Sequence, residues 1–291
     1  LINIPIIPKD EILPGGDFIP PPVIIQAQQG WGRLQLKEVW EYRPLLRTLV
    51  IRDLKSRYRA TAVGPFWFII GPFINMVILS LVFGKMAQFD SEGMPYPIFL
   101  YSATLPWSLF ANSFERGRGS LLEFMSWMSK VYIPHLMIPL ISIGTTLVEW
   151  AISFLILLGL MVFYQLHIDW SIVLLPFYMV FALVSALSIG LWVAPLSVPF
   201  RDVGRFSSYV IQALYFLTPI VYSSEIIPEE WLWAYQLNPM YWVVEGFRWI
   251  FLGTGQGPQW YMLIPVGLVV TLLISGAYVF ERFSRNIVDI H

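Results

Sequence analysis

Cysteine is absent from the 291 residues. That absence excludes disulfides, thiolate nucleophiles, iron-sulfur clusters and any zinc site built on a thiolate. Histidine occurs three times, at His135, His167 and His291, too scattered to suggest a metal motif. Charge is scarce as well. Only 13% of the residues are charged, whereas a soluble domain carries about 25%, so an ordinary soluble enzyme is excluded. With 18 basic against 19 acidic residues, no cationic surplus exists to attract nucleic acid. Nor does any G-x-x-x-x-G-K-[ST] string occur, so the chain lacks the phosphate cradle and lysine needed to hydrolyse ATP.

What is present is apolar: 57% of the residues are hydrophobic and 16% aromatic. A bilayer core of about 30 Å needs about 20 apolar residues in a helix. Six runs qualify. They lie between Arg59 and Lys85, between Glu92 and Glu115 (using Tyr96 to Ser113), from Leu136 to Leu166 interrupted only by Glu149, from Ile172 to Pro199, between Arg205 and Glu225, and from Trp260 to Phe280. The first begins some sixty residues in, so none reads as an N-terminal signal peptide. A cytoplasmic N-terminus puts every Lys and Arg inside except Lys85 and Arg248, as the positive-inside rule asks. The expectation is an all-α, polytopic membrane protein with six transmembrane helices and both termini in the cytoplasm.

The segments between the runs divide the chain further. Residues 1–43 form a cytosolic arm, with six prolines before Gly30 that preclude a long helix. Residues 44–59 follow Pro44 with Leu45, Leu46, Leu49, Val50 and Leu54 on one side and Arg47, Arg52, Lys55, Arg57 and Arg59 interleaved. Such a basic amphipathic helix belongs in the membrane interface, apolar face in the acyl boundary and cations at anionic lipid head groups. The six spans and their loops occupy 60–291.

Two loops stand out. Ser120-Leu121-Leu122-Glu123 has the pattern of a capping box, so a short cytosolic helix over 120–132 should start there. Leu121, Phe124, Met125, Met128 and Tyr132 follow at helical spacing until Pro134. Exposed Met and aromatic side chains suit a protein partner, and a helix lying on the bilayer is the plainer reading. In the external segment 225–252, Trp231, Trp233, Tyr241 and Trp242 fall on two short apolar helices broken near Asn238-Pro239. A re-entrant helical hairpin gating an exit and an ordinary interfacial aromatic belt both fit.

At this point Arg52-Asp53-Leu54-Lys55-Ser56-Arg57-Tyr58-Arg59, followed by Thr61, Val63-Gly64-Pro65 and Trp67, resembles the entry to the first span in permease subunits of bacterial type-2 ABC polysaccharide exporters. Leu105-Pro106-Trp107 with Phe110, Lys130-Val131-Tyr132-Ile133-Pro134, Phe200-Arg201-Asp202-Val203, Thr218-Pro219-Ile220 with Tyr222, and Asn238-Pro239 agree in order and spacing. Ala103 departs from a common Gly, and His135-Leu136 from a common Arg-Glu. The resemblance implies a homodimeric, channel-forming permease in the bacterial inner membrane. It would work with a dimer of cytosolic ABC ATPase subunits that bind ATP and Mg, and export lipid-linked polysaccharide, O-antigen first, with capsule and teichoic-acid polymers as alternatives. The chain itself would hold no cofactor, metal or catalytic residue.

The site residues follow. Ser120, Leu121, Glu123, Phe124, Met125, Met128 and Tyr132 are candidates for ATPase coupling, and Arg57, Tyr58, Arg201 and Asp202 for the channel entrance. Trp67, Trp107, Glu149 and Tyr222 join the four aromatics of the hairpin as channel or gate candidates. Glu149, the one carboxylate deep in a run, is either a cargo or dimer contact or a packed, hydrogen-bonded side chain. A membrane-embedded glycan-handling enzyme would need clustered carboxylates or a His-Asp-Arg constellation, and a proton-coupled transporter intramembrane acids on inverted repeats.

Overall fold

The structure, a computed structural model, describes residues 36–59, 63–128 and 134–288. No strand occurs among the described residues. Of the expected arm, residues 36–43 fall within them: α1 (Leu36–Glu41), Tyr42 and the first residue of α2 (Arg43–Tyr58). Pro44 stands in the first turn of α2, where its missing N–H is no loss. α3 (Trp67–Leu79) continues directly into a π-helical segment, Ser80–Met86. Then come α4 (Tyr96–Met128), α5 (Met137–Phe163), a 3₁₀ turn (Trp170–Leu174) leading into α6 (Leu175–Ser197), and α7 (Arg201–Leu217). The last three are α8 (Glu229–Leu237), α9 (Pro239–Leu252) and α10 (Leu263–Val288).

Four segments are long and apolar enough to cross a membrane: Trp67–Met86, Met137–Phe163, Trp170–Ser197 and Trp260–Ser284. They coincide with the expected first, third, fourth and sixth runs, and the chain is a polytopic all-α membrane protein. The other two runs take different forms. α4 begins at Tyr96 but continues past Ser113 through Glu115, Arg116, Arg118 and Glu123. α7 has 17 residues and opens with Arg201, Asp202 and Arg205.

α4 is the central rod, packed on α5, α6, α7 and α9, while α6 also carries α10. Its two ends enter different apolar clusters. Ile98 to Phe114 join Trp150, Leu157, Tyr178, Phe181 and most of α9 in the larger one. Leu121 and Phe124 join Leu49, Met137, Ile141, Leu191, Ala194 and Phe280 in the other. Between them lies a polar layer: Arg116 on α4 and Thr145, Thr146 and Glu149 on α5.

The amphipathic helix α2 is seated on α5. Leu49 is buried and Leu45, Leu46 and Val50 pack into the second cluster. Gly144 of α5 makes room for Val50, whose Cγ2 lies 2.7 Å from where a Cβ would stand. Four of the five apolar residues of the α2 stripe, Leu45, Leu46, Leu49 and Val50, therefore rest on protein. Arg47, Ile51, Lys55 and Arg57 are on the exposed side.

Candidate functional site

The coupling region corrects the sequence reading. No helix starts at Ser120, because α4 runs through it. A capping serine needs a non-helical backbone and free N–H groups ahead of it; here the preceding turns are helical, and Ser120 Oγ donates back to the Gly117 carbonyl at 2.6 Å. Ser120, Leu121 and Phe124 are buried, so Phe124 offers no knob to a partner, while Leu122 and Glu123 are exposed. The side chains of Met125 and Met128 and the whole of Tyr132 lie outside the described residues.

At the same end of the bundle, Arg57 Nε donates to Asp53 Oδ2 at 3.1 Å. Burial disfavours the guanidinium charge, but the hydrogen bond and charge of Asp53, with the charges of Glu123 and Glu149, outweigh it and raise the pKa above its ordinary value. Asp53 lies on α2 itself, and Glu123 on the far part of α4 acts on Arg57 through its charge alone. The Tyr58 side chain lies outside the described residues. Arg201 and Asp202 are exposed at the start of α7. They do not pair with each other. Asp202 faces Arg205 at 3.9 Å and sits at the positive end of the helix dipole.

Glu149 is met by Arg116, which forms an ion pair with its Oε2 and donates to Thr145 Oγ1 at 3.2 Å and Thr146 Oγ1 at 3.3 Å. Two residues on, Arg118 crosses from α4 to α7: it bonds Glu115 Oε2 at 2.8 Å through Nε and Ser208 Oγ at 2.8 Å through NH2. Gly204 permits this approach, since a Cβ there would lie 2.8 Å from the guanidinium. Beyond that anchor α7 presents one stripe of exposed apolar residues at helical spacing, Phe206, Tyr209, Val210, Phe216 and Leu217. Arg116, Arg118 and this stripe were not singled out by sequence; the apolar spacing from Phe206 to Leu217 was the signal for the last.

The remaining channel and gate candidates separate. Trp67 is exposed at the start of α3, whereas Trp107 is buried against Phe110 and Tyr215. Tyr222 is half-buried, its hydroxyl donating to the Phe216 carbonyl at 2.9 Å. Two helices do meet at Asn238: its Oδ1 caps α9 by accepting from Met240 N at 3.0 Å, and its Nδ2 donates to Thr218 Oγ1 at 2.9 Å. Trp231 and Trp233 on α8 are exposed, but Tyr241 and Trp242 on α9 are fully buried, so the four do not share a surface in the protomer.

Sequence reasoning also overlooked a second buried charge pair. Glu245 and Arg248 on α9 are both fully buried, so Glu149 is not the sole carboxylate inside the protein. Arg248 bonds Glu245 Oε1 at 3.3 Å and the carbonyls of Ile220 and Tyr222 at 3.1 and 3.3 Å, and stands 3.8 Å over the Phe99 ring. Tyr96 donates to the Val221 carbonyl at 2.6 Å and Ser223 to Glu92 at 2.6 Å. The turn after α7 is thereby tied to α4 and α9. The only trace in sequence is the i, i+3 spacing of opposite charges in an apolar stretch.

The described residues thus form a membrane-type helical bundle with a charged, mostly buried layer near one end and an exposed aromatic stripe on α7. The comparisons agree. Residues 44–252 match the model of the ABC-2 type transporter family, and the chain belongs to that family. It is 27% identical over 249 residues to the O-antigen export system permease protein RfbA of Myxococcus xanthus, covering 84% of this chain and 95% of that one. A protein of the same description from Klebsiella pneumoniae is 23% identical, with 84% and 94% covered. The polysialic acid transport protein KpsM of Escherichia coli is 24% identical over 213 residues, with 69% and 78% covered.

Proposed function

We propose that the chain is the channel-forming permease subunit of an ATP-driven exporter that moves a lipid-linked polysaccharide, O-antigen in type, from the cytosol across a bacterial inner membrane. One observation carries the reading: the exposed stripe Phe206, Tyr209, Val210, Phe216 and Leu217 on α7, beside the exposed charges Arg201, Asp202 and Arg205. In a homodimer, two such stripes facing each other line a passage whose mouth is charged and whose wall is aromatic. Sugar rings present apolar C–H faces that stack on aromatic rings while hydroxyls meet polar tips such as Tyr209.

α4 and α7 complete a six-span arrangement with both termini in the cytoplasm, and the end of the bundle bearing Arg57, Glu123 and Arg201 faces the cytosol. There a dimer of ABC ATPase subunits docks, supplying the ATP and Mg chemistry for which this sequence has no phosphate cradle. With Phe124 buried, the docking surface comprises Leu122, Glu123 and the segment beyond them. α8 with Trp231 and Trp233 lies at the external mouth. The similarity to KpsM supports a capsule-type polymer as the second reading.

Reconstitution tests it. Vesicles holding this chain and its ATPase should take up lipid-linked glycan only with ATP, and the Phe206→Ala/Tyr209→Ala/Phe216→Ala protein should assemble and hydrolyse ATP without moving glycan. Transport by this chain alone, or at full rate by the triple variant, refutes the proposal.

A further inference from the structure

α4 is buried on most sides, and what it leaves accessible is unusual for a helix in a membrane. Apart from Arg116 and Arg118, its accessible residues from Thr104 to Gly119 are Thr104, Ser108, Ala111, Asn112, Glu115 and Gly119. These fall at helical spacing on one face, and none is large and apolar. By contrast, α3 exposes Phe73, Ile74 and Ile78, and α10 exposes Leu268, Val270 and Ile274. Acyl chains offer no hydrogen bonds, so polar residues within spans face protein or a water-filled cavity.

Two ties fix how α7 stands beside this row. Arg118 donates to Ser208 at 2.8 Å, and the Trp107 ring meets that of Tyr215 edge-on with centroids 5.7 Å apart. Asn112 lies midway between Trp107 and Arg118 on α4, and Gln212 midway between Ser208 and Tyr215 on α7, so the two stand at one level. One flank of this seam is closed by the buried Phe110, Phe114 and Ile211. The other is open. Gln212 lies three residues from Tyr209 and four from Phe216, on their face of the helix. Asn112 and Gln212 are exposed, and neither side chain makes a hydrogen bond among the described residues. The hydroxyls of the row do: Thr104 donates to the Leu100 carbonyl at 3.0 Å and Ser108 to that of Leu105 at 2.7 Å. The free hydrogen-bonding capacity is thus gathered in two carboxamides, each able to donate and to accept.

We infer that this face is a sugar-reading wall of the passage, where the Asn112 and Gln212 amides donate to and accept from hydroxyls of the passing glycan while Tyr209 and Phe216 stack on its C–H faces. A sugar hydroxyl is itself a donor and an acceptor, so a carboxamide matches it in either sense. The neighbouring rings supply the apolar half of the contact. The inference deepens the export reading and rests on it, with α4 and α7 as spans.

Cysteine substitution in this cysteine-free chain tests it. In vesicles holding the chain and its ATPase, Asn112→Cys and Gln212→Cys should react with a charged methanethiosulfonate, whereas Ile274→Cys on the apolar face of α10 should not. If both are as protected as Ile274→Cys, acyl chains or a second copy cover the face and the wall is overturned. Transport reads the chemistry. With lipid-linked glycan extracted from the source cells, Asn112→Leu/Gln212→Leu should move about tenfold less glycan per ATP hydrolysed, the effect of losing two hydrogen bonds. Asn112→Gln/Gln212→Asn, which keeps both amides, should stay near the wild type. A wild-type ratio in the leucine variant overturns the amide contacts. The two failures are distinct: a wild type that moves no glycan sinks the export reading, while unreactive cysteines beside a wild type that does export sink only this wall.

Discussion

At the scale of single residues, the mostly buried Arg116–Glu149 pair and the fully buried Glu245–Arg248 pair set the sharpest demands. A buried charge is costly alone, and removing one partner of a buried pair costs about 3–5 kcal/mol because the other is stranded. Arg116→Ala should therefore lower the melting temperature sharply by leaving Glu149 without its guanidinium. Arg116→Met/Glu149→Met, which removes both charges, should recover most of that loss, as apolar replacements of buried pairs often do. Export separates the two readings of Glu149: a double variant that folds and exports makes it a packing residue, and one that folds but fails to export makes it a cargo or dimer contact. The Glu245–Arg248 pair gives a parallel case. Arg248 also holds two backbone carbonyls of the turn after α7, so Arg248→Ala should destabilise by a similar amount and speed amide exchange at Ile220 to Tyr222. Unchanged exchange there would show that Asn238 and Tyr96 suffice to hold the turn.

At the scale of elements, α4 runs unbroken through Ser120 and is bonded to α7 through Arg118, so in the proposed exporter it is the connection between the docking end and the aromatic stripe. Arg118→Ala, or Gly204→Val, which drives a side chain into the space of that guanidinium, should leave ATPase association and hydrolysis in place while export falls at least tenfold. If export keeps pace with hydrolysis in both, the bridge is only a packing contact. How much of this was readable in sequence follows from what each signal encodes. The break at Asn238-Pro239 was legible because a cap and a residue before proline act locally. The Ser120 pattern misled because S-x-x-E is a cap only where the chain ahead is not helical, and Gly117 to Gly119 continue the helix. The seat of α2 on α5 depends on Gly144 lying under Val50, ninety-four residues away in sequence. The same holds for Glu245 and Arg248, whose burial is set by α4 and the turn after α7, not by their neighbours.

At the scale of the whole molecule, the number of spans turns on α4 and α7. Four spans satisfy length and apolarity outright. With those four alone and the N-terminus inside, Arg116, Arg118, Lys130, Arg201 and Arg205 would join Lys85 and Arg248 outside, against the positive-inside rule. With six spans only Lys85 and Arg248 remain there. The two arrangements exchange two loops. Six spans put His167, between α5 and α6, outside and Asp202, at the head of α7, inside; four spans reverse both, while Asp90 stays outside in either. All three are exposed, and the chain has no cysteine to interfere. Single cysteines at these positions, treated in intact cells with a membrane-impermeant maleimide, should label at Asp90→Cys and His167→Cys, and at Asp202→Cys only after permeabilisation. Labelling of Asp202→Cys from outside with His167→Cys protected would reduce the bundle to four spans and move the charged end of α7 to the external face, where no cytosolic ATPase can reach it.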